Sequence, residues 1–314
     1  GKLGHDANNR EPSGRLRLSV PQPDPGPDIA MLKRFMADLP NPGTLEQLKR
    51  EAQGILSPDV FDGARFEFNK TLSPKFALNH NVFLGSAQMP ASYEFGANFG
   101  DERVLIASRV DMGGRLNGRI NAQFGESFAA RLQAQASPES PGQMQSLKAD
   151  LDYKGSTCCA GATYMGGGLL GANLMQSITP WLAVGGEGFY HTQKEVKGGA
   201  VAARAQWGHK GEHVATAKAG SFGNVELSYQ RKVSDKVGLA TEMQYYHNQF
   251  CNFGVGYEFR LRQATFKGLI QSDTTCSASL EERINPNMNL MLSGQLNHKK
   301  KDYKFGFGVV IGAA

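Results

Sequence analysis

YKFGFGVVI, residues 303–311, decides how the rest of the chain is read. Tyr303, Phe305, Phe307, Val309 and Ile311 fall on one face of an extended chain, and Lys304, Gly306, Gly308 and Val310 fall on the other. A period of two is a strand signal, because successive Cβ atoms of a strand point to opposite sides. One face is aromatic and aliphatic, while the other carries a lysine and two glycines. A strand near a terminus with so apolar a face needs a cover, whether lipid, a partner sheet or another chain.

The same alternation runs backwards through the sequence. Met288, Leu290, Leu292 and Leu296 oppose Asn287, Asn289, Ser293, Gln295 and Asn297, and Val225, Leu227 and Tyr229 oppose Glu226, Ser228 and Gln230. Leu147, Ala149, Leu151 and Tyr153 face away from Lys148, Asp150, Asp152 and Lys154. Leu116, Gly118, Ile120, Ala122 and Phe124 oppose Arg115, Asn117, Arg119, Asn121 and Gln123. Tyr93, Phe95, Ala97 and Phe99 oppose Ser92, Glu94 and Asn98, and Phe66 and Phe68 oppose Arg65, Glu67 and Asn69. Turn signals fall between such segments, at Ser73-Pro74, Gly113-Gly114, Gly155-Ser156, Gly166-Gly167-Gly168, Thr179-Pro180, Lys197-Gly198-Gly199, Ser272-Asp273 and Asn285-Pro286. The spacing predicts about nineteen strands of about ten residues from Ala64 onward, the length that crosses a bilayer at a tilt. Turn placement alone also allows eighteen or twenty.

The two faces choose between lipid and water. A closed barrel of about nineteen strands has far more interior than side chains can fill, so the polar face lines the hole and the apolar face meets lipid. With strands about 4.8 Å apart and tilted about 40°, the cylinder is roughly 35–40 Å across, and lumen side chains leave on the order of 20–25 Å. A helix about 10–12 Å wide passes through such a hole. The sequence therefore predicts an all-β transmembrane barrel of about 19 strands with short N-terminal helices.

Composition agrees with this architecture. The 314 residues are 40% hydrophobic, contain no apolar run long enough for a transmembrane helix, and have negative mean hydropathy. The 38 glycines have no collagen-like period and suit close strand contacts. The net charge of +5 is spread among strands, with no basic helix or aromatic-basic platform, so no nucleic-acid partner is expected. Cys158, Cys159, Cys251 and Cys276 form no CxxC pair and read as small strand residues in a reducing compartment. No metal, cofactor or catalytic set is expected; the glycines of the closing strand lack GxGxxG spacing. The first residues carry no apolar signal region.

Residues 1–43 read as a flexible polar, Pro-rich tail, with a possible short helix over 28–39 built on Ile29, Leu32, Phe35 and Met36. Residues 44–63 hold a second helical segment, with Thr44 and Gln47 as a capping box and Leu45, Leu48, Ala52 and Ile55 on one face. Gly54 and Ser57-Pro58 are its stop signals. It is expected to pack on or inside the pore ahead of the barrel, residues 64–314.

QSITPWLAVGGEGFYH (176–191), LNHKKKDYKFGFGVVIG (296–312) and FNKTLSPKFALNHNVFLGS (68–86) closely resemble the family of channel subunits of the translocase of the outer mitochondrial membrane, within the eukaryotic porin superfamily. The resemblance implies a nineteen-strand barrel in the mitochondrial outer membrane whose first and last strands pair parallel. It also implies conduction of nuclear-encoded precursor proteins, with a central receptor subunit, small single-span subunits, a second copy of the barrel and membrane lipid as partners. The sister family of voltage-dependent anion channels shares the barrel and leaves a metabolite porin as the alternative. Within this resemblance Lys304, Gly306, Val309 and Ile311 match the mitochondrial β-signal.

Targeting presequences are amphipathic, Arg-rich and poor in acids. Inward-facing Glu94, Asp111, Asp150, Asp152, Glu187, Glu226, Glu242 and Glu281 are the candidate acidic track for them, through weak and distributed contacts. Arg103, Arg109, Arg115, Arg119, Arg131 and Lys148 also point inward, so the charges either segregate into patches or simply keep the pore wet. Lumen-facing Leu105, Met165, Leu269 and Met291 are candidates for holding apolar segments or for packing against an internal helix.

Overall fold

A computed structural model describes residues 39–86, 90–138, 144–193, 195–208, 211–247 and 249–312. Residues 1–38 of the expected tail, and with them all but the last residue of the candidate helix over 28–39, lie outside these. The end of that expected tail is held on the wall, where Ser177 Oγ donates to the Pro40 carbonyl at 2.7 Å and Asn41 Nδ2 donates to the Gly155 carbonyl at 2.6 Å. Among the described residues one 3-10 turn, Leu45–Gln47, and one α-helix, α1 (Arg50–Leu56), precede nineteen strands. These are β1 (Gly63–Ser73), β2 (Phe76–Phe83), β3 (Ser92–Gly100), β4 (Val104–Asp111), β5 (Leu116–Phe124), β6 (Phe128–Ala136), β7 (Met144–Lys154), β8 (Cys158–Met165), β9 (Leu169–Thr179) and β10 (Leu182–His191). They continue with β11 (Val196–Trp207), β12 (His213–Gly220), β13 (Asn224–Ser234), β14 (Val237–Tyr246), β15 (Phe250–Arg260), β16 (Ala264–Gln271), β17 (Thr275–Asn285), β18 (Met288–Asn297) and β19 (Asp302–Ile311).

Each strand pairs antiparallel with its sequence neighbours, and β1 closes the ring against β19. Alternating directions return to register around a ring only for an even count, so nineteen strands force one parallel joint. That joint runs from Gly63 opposite Gly306 to Phe68 opposite Ile311. Closure leaves no free edge, which is what allows a sheet to stand in hydrocarbon.

The alternation sorts residues as the sequence predicts. Outward residues carry the apolar belt: Val201 is 66% and Phe305 65% exposed, so among the described residues nothing covers that face at these positions. Buried apolar residues, by contrast, lie inside, where the segment after Leu39 runs along the lumen wall. Leu45 and Leu48 pack with Cys159, Met175, Ala183 and Ala202. Ala52, Ile55 and Leu56 pack on Ala240, with Leu269 beside them. The wall is thinned to receive α1: a Cβ at Gly238 would stand 2.9 Å from Ile55 Cδ1, and one at Gly256 2.9 Å from Leu56 Cδ2.

Three local expectations are corrected. Lys197-Gly198-Gly199 is not a turn but lies within β11, where Gly198 faces Phe189 across the ladder. A Cβ there would overlap the Phe189 ring, so this glycine serves a close side-chain approach rather than a reversal. Gly54 does not stop the helix, which runs on to Leu56 before Ser57-Pro58. Thr44 makes no side-chain capping bond; the segment begins as a 3-10 turn, with Gln47 N–H donating to the Thr44 carbonyl at 3.0 Å.

Candidate functional site: the pore lumen

The lumen site is organised by the internal segment, whose charges are matched to the wall they face. Lys49 lies between two carboxylates, Glu226 of β13 at 2.6 Å and Glu242 of β14 at 2.8 Å. Glu51 takes both terminal nitrogens of Arg204 on β11, Nη1 at 2.9 Å and Nη2 at 2.8 Å, a bidentate fork. Glu46 reaches the other way, to Arg131 of β6 at 2.7 Å and Lys148 of β7 at 3.1 Å. At the helix end Lys267 donates to the Gly54 carbonyl at 2.7 Å, satisfying an acceptor that the helix leaves free.

These contacts act on protonation. Burial pulls the Lys49 amine down, but the hydrogen bonds and charges of Glu226 and Glu242 outweigh it and hold the amine above its ordinary value. Burial pushes the Glu51 carboxyl up, and Arg204 more than reverses this, leaving it below the usual carboxylate range.

The predicted acids fall into separate groups. Glu187, Glu226 and Glu242 line one cavity of about 350 Å³ together with Lys49 and Lys218, and Lys218 pairs with Glu187 at 2.6 Å. Asp150 and Asp152 stand on β7 among bases: Lys148 is 3.0 Å from Asp150, Arg131 pairs with Asp152, and Thr163 donates to Asp150 at 2.8 Å. Glu94 and Asp111 face each other across β3 and β4, and Glu281 on β17 accepts from Asn289. The predicted bases gather on the β4–β7 wall, with Arg103 and Arg115 just ahead of β4 and β5 and Arg109, Arg119, Arg131 and Lys148 within the strands. Leu269 packs near α1, Met291 accepts from Arg65 at 3.2 Å, and Leu105 and Met165 are exposed on the lumen side.

At the seam the residues that match the β-signal pattern sit in fixed register. Val309 lies opposite Phe66 and Ile311 opposite Phe68, while Lys304 and Gly306 face inward. Below the first parallel pair the chain leaves the lumen through Phe61 and Asp62. Phe61 N–H donates to Ser293 Oγ at 3.2 Å, and that hydroxyl donates to the Phe61 carbonyl at 2.9 Å. The Arg65 guanidinium lies 4.5 Å from the Phe61 ring centroid. A Cβ on Gly306 would lie 2.6 Å from Phe61 Cδ2, and one on Gly308 3.1 Å from Phe61 Cζ. Gly63 then turns the chain into the wall with φ of 87°, a conformation glycine adopts without steric cost. Sequence reasoning missed Phe61; its only signal was an isolated aromatic between the helix stop and the first alternating run.

A closed barrel of odd strand count, with a lipid-facing apolar belt and a charged lumen that holds its own N-terminal segment, defines a membrane-spanning β-barrel pore. The eukaryotic porin family matches residues 41–306. The chain is 33% identical over 287 residues to the probable mitochondrial import receptor subunit TOM40-2 of Arabidopsis thaliana, covering 87% of this chain and 91% of that one. It is 30% identical over 292 residues to the human TOM40 homolog (87% and 79%), and 30% over 326 residues to TOM40 homolog 2 of Drosophila melanogaster (96% and 94%). Among solved structures, a variant of the Rh. blastica porin overlaps with a TM-score of 0.48 at 10% identity, covering 76% of this chain and 96% of that one. The chain belongs to the TOM40 family of eukaryotic porins. It is a multi-strand barrel of the mitochondrial outer membrane and a subunit of a protein import channel, with a non-enzymatic role.

Proposed function

We propose that the lumen conducts unfolded precursor proteins and that the wall of β10–β14 receives their presequences. The observation that carries this reading is the seat of Lys49. An amphipathic segment presses Leu45 and Leu48 onto Met175, Ala183 and Ala202 while its lysine enters a two-carboxylate site. A presequence offers the same combination of an apolar stripe and basic residues. Each contact is modest, as a conducting pore requires of sites that must release their cargo. The acids at Glu94, Asp111 and Glu281 extend the attraction to other parts of the wall; Asp150 and Asp152 are engaged by bases of the wall itself, whereas the base on Glu226 and Glu242 belongs to the internal segment.

The apolar outer belt fits lipid, single-span subunits of the translocase and a second barrel, and the receptor subunit belongs to the same proposed assembly. Single-channel recording from the reconstituted barrel tests the reading. A presequence peptide is expected to block cation-preferring current, and block is expected to weaken in a Glu226→Gln/Glu242→Gln double variant. Anion-selective current untouched by the peptide would replace this reading with that of a metabolite porin.

A further inference from the structure

The β4–β7 wall carries a cavity of about 430 Å³ that no aspartate or glutamate lines. Arg109, Asn117, Arg119, Gln133, Gln135 and Lys148 supply its polar lining, with Ser146 at the edge. The ladder fixes their arrangement: Arg109 stands opposite Asn117, Arg119 opposite Gln133, and Gln133 opposite Lys148. Arg109 and Arg119 are diagonal neighbours on one face, about 7–8 Å apart. Several other lumen cations are paired, as with Lys49, Arg131, Arg204 and Lys218. Among the described residues neither Arg109 nor Arg119 has a carboxylate within 4.0 Å, and Arg119 donates only to the Asn121 amide, at 3.2 Å. Lys148 is held by Glu46 and Asp150 and closes the cavity at the side of the internal segment.

We propose that this wall binds linear oligophosphates, the diphosphate or triphosphate unit either free or carried by a nucleotide. Guanidinium groups match phosphate oxygens in a bidentate fork, and the amides and hydroxyl around them are further donors. The cavity lies within the range of small-molecule sites, about 300–1,000 Å³. Arg109 and Lys148 are three strand spacings and two residues of register apart, about 16 Å, so a chain of phosphoryl groups fits the row of donors better than a single anion. Carboxylates of a passing polypeptide would also be attracted, but their chemistry does not call for a lined cavity. The proposal is independent of presequence conduction, since it uses a different wall.

The test is single-channel recording from the reconstituted full chain with sodium tripolyphosphate, adenosine triphosphate or sulfate added at matched ionic strength. Both phosphates are expected to block current and sulfate is not; equal block by the two phosphates assigns recognition to the phosphate chain, and stronger block by the nucleotide adds its base. Arg109→Gln and Arg119→Gln are each expected to raise the half-blocking concentration about tenfold or more, the effect of one lost charge-assisted contact. Arg283→Gln, which removes a charge from β17, is expected to leave it unchanged. A rise in thermal stability of the detergent-solubilised wild type with tripolyphosphate gives a second readout independent of the variants. Block equal with sulfate, block unaltered in both arginine variants, or no thermal shift would each overturn the assignment.

Discussion

Gly306→Ala is expected to break the seam from the inside. The added methyl meets Phe61 Cδ2 at 2.6 Å and also overlaps the Phe61 carbonyl oxygen and Ser293 Oγ. These are backbone and packed atoms, so relief requires Phe61 to leave its seat. Forcing a methyl into a filled site costs about 1–3 kcal/mol. Release of Phe61 forfeits the two bonds between its backbone and Ser293, each about 1 kcal/mol. The sum, about 3–5 kcal/mol, is a large part of a typical folding stability of about 5–15 kcal/mol. The assay is urea unfolding of the barrel refolded in detergent, followed by tryptophan fluorescence, with Phe61→Ala and the double variant completing a cycle. The expected result is a large loss in Gly306→Ala and a smaller one in the Phe61→Ala background. Refolding without any insertion machinery separates this packing role from a recognition role of the β-signal. An unchanged unfolding midpoint in Gly306→Ala would refute the packing argument.

Other outcomes follow from the lumen contacts. Lys49→Ala leaves Glu226 and Glu242 without their cation and is expected to loosen the internal segment by about 1–3 kcal/mol, read as faster proteolysis within residues 39–61 of the reconstituted barrel. Glu51 contributes docking stability above its ordinary value of 4.5 and loses it as pH falls through its lowered folded value. Current noise from segment motion should therefore rise in that acid range in the wild type, and a Glu51→Gln variant should show elevated noise already at neutral pH. Gly198→Val places side-chain atoms against the Phe189 ring and is expected to cost about 1–3 kcal/mol, measured by the same urea titration.

The barrel was legible because its physics is local. Residues two apart share a face, and Leu116 to Phe124 against Arg115 to Gln123 declares both faces within ten residues. The inward direction of Glu226, Glu242, Arg131 and Lys148 followed from that parity. Their partners did not, because Lys49 and Glu242 are 193 positions apart and meet only when the segment lies on the wall. The misplaced turn at 197–199 has the same cause: a glycine pair signals a reversal locally, while Gly198 is set by Phe189 on the neighbouring strand. Thr44 and Gln47 offered a capping box, but packing of Leu45 and Leu48 fixes a 3-10 turn there instead. The closing strand shows the same division, since YKFGFGVVI announces its lipid face by alternation while the need for Gly306 comes from Phe61.

The central claim, that polypeptides cross through this lumen, is tested most directly by site-specific photo-crosslinking in mitochondria with a precursor arrested in transit. Gln244 and Met243 are adjacent on β14 and point to opposite sides of the wall. A photoreactive residue at 244 is expected to label the arrested precursor, and one at 243 to label only lipid and membrane-embedded partners. Precursor labelled from 243 and not from 244 would contradict the account.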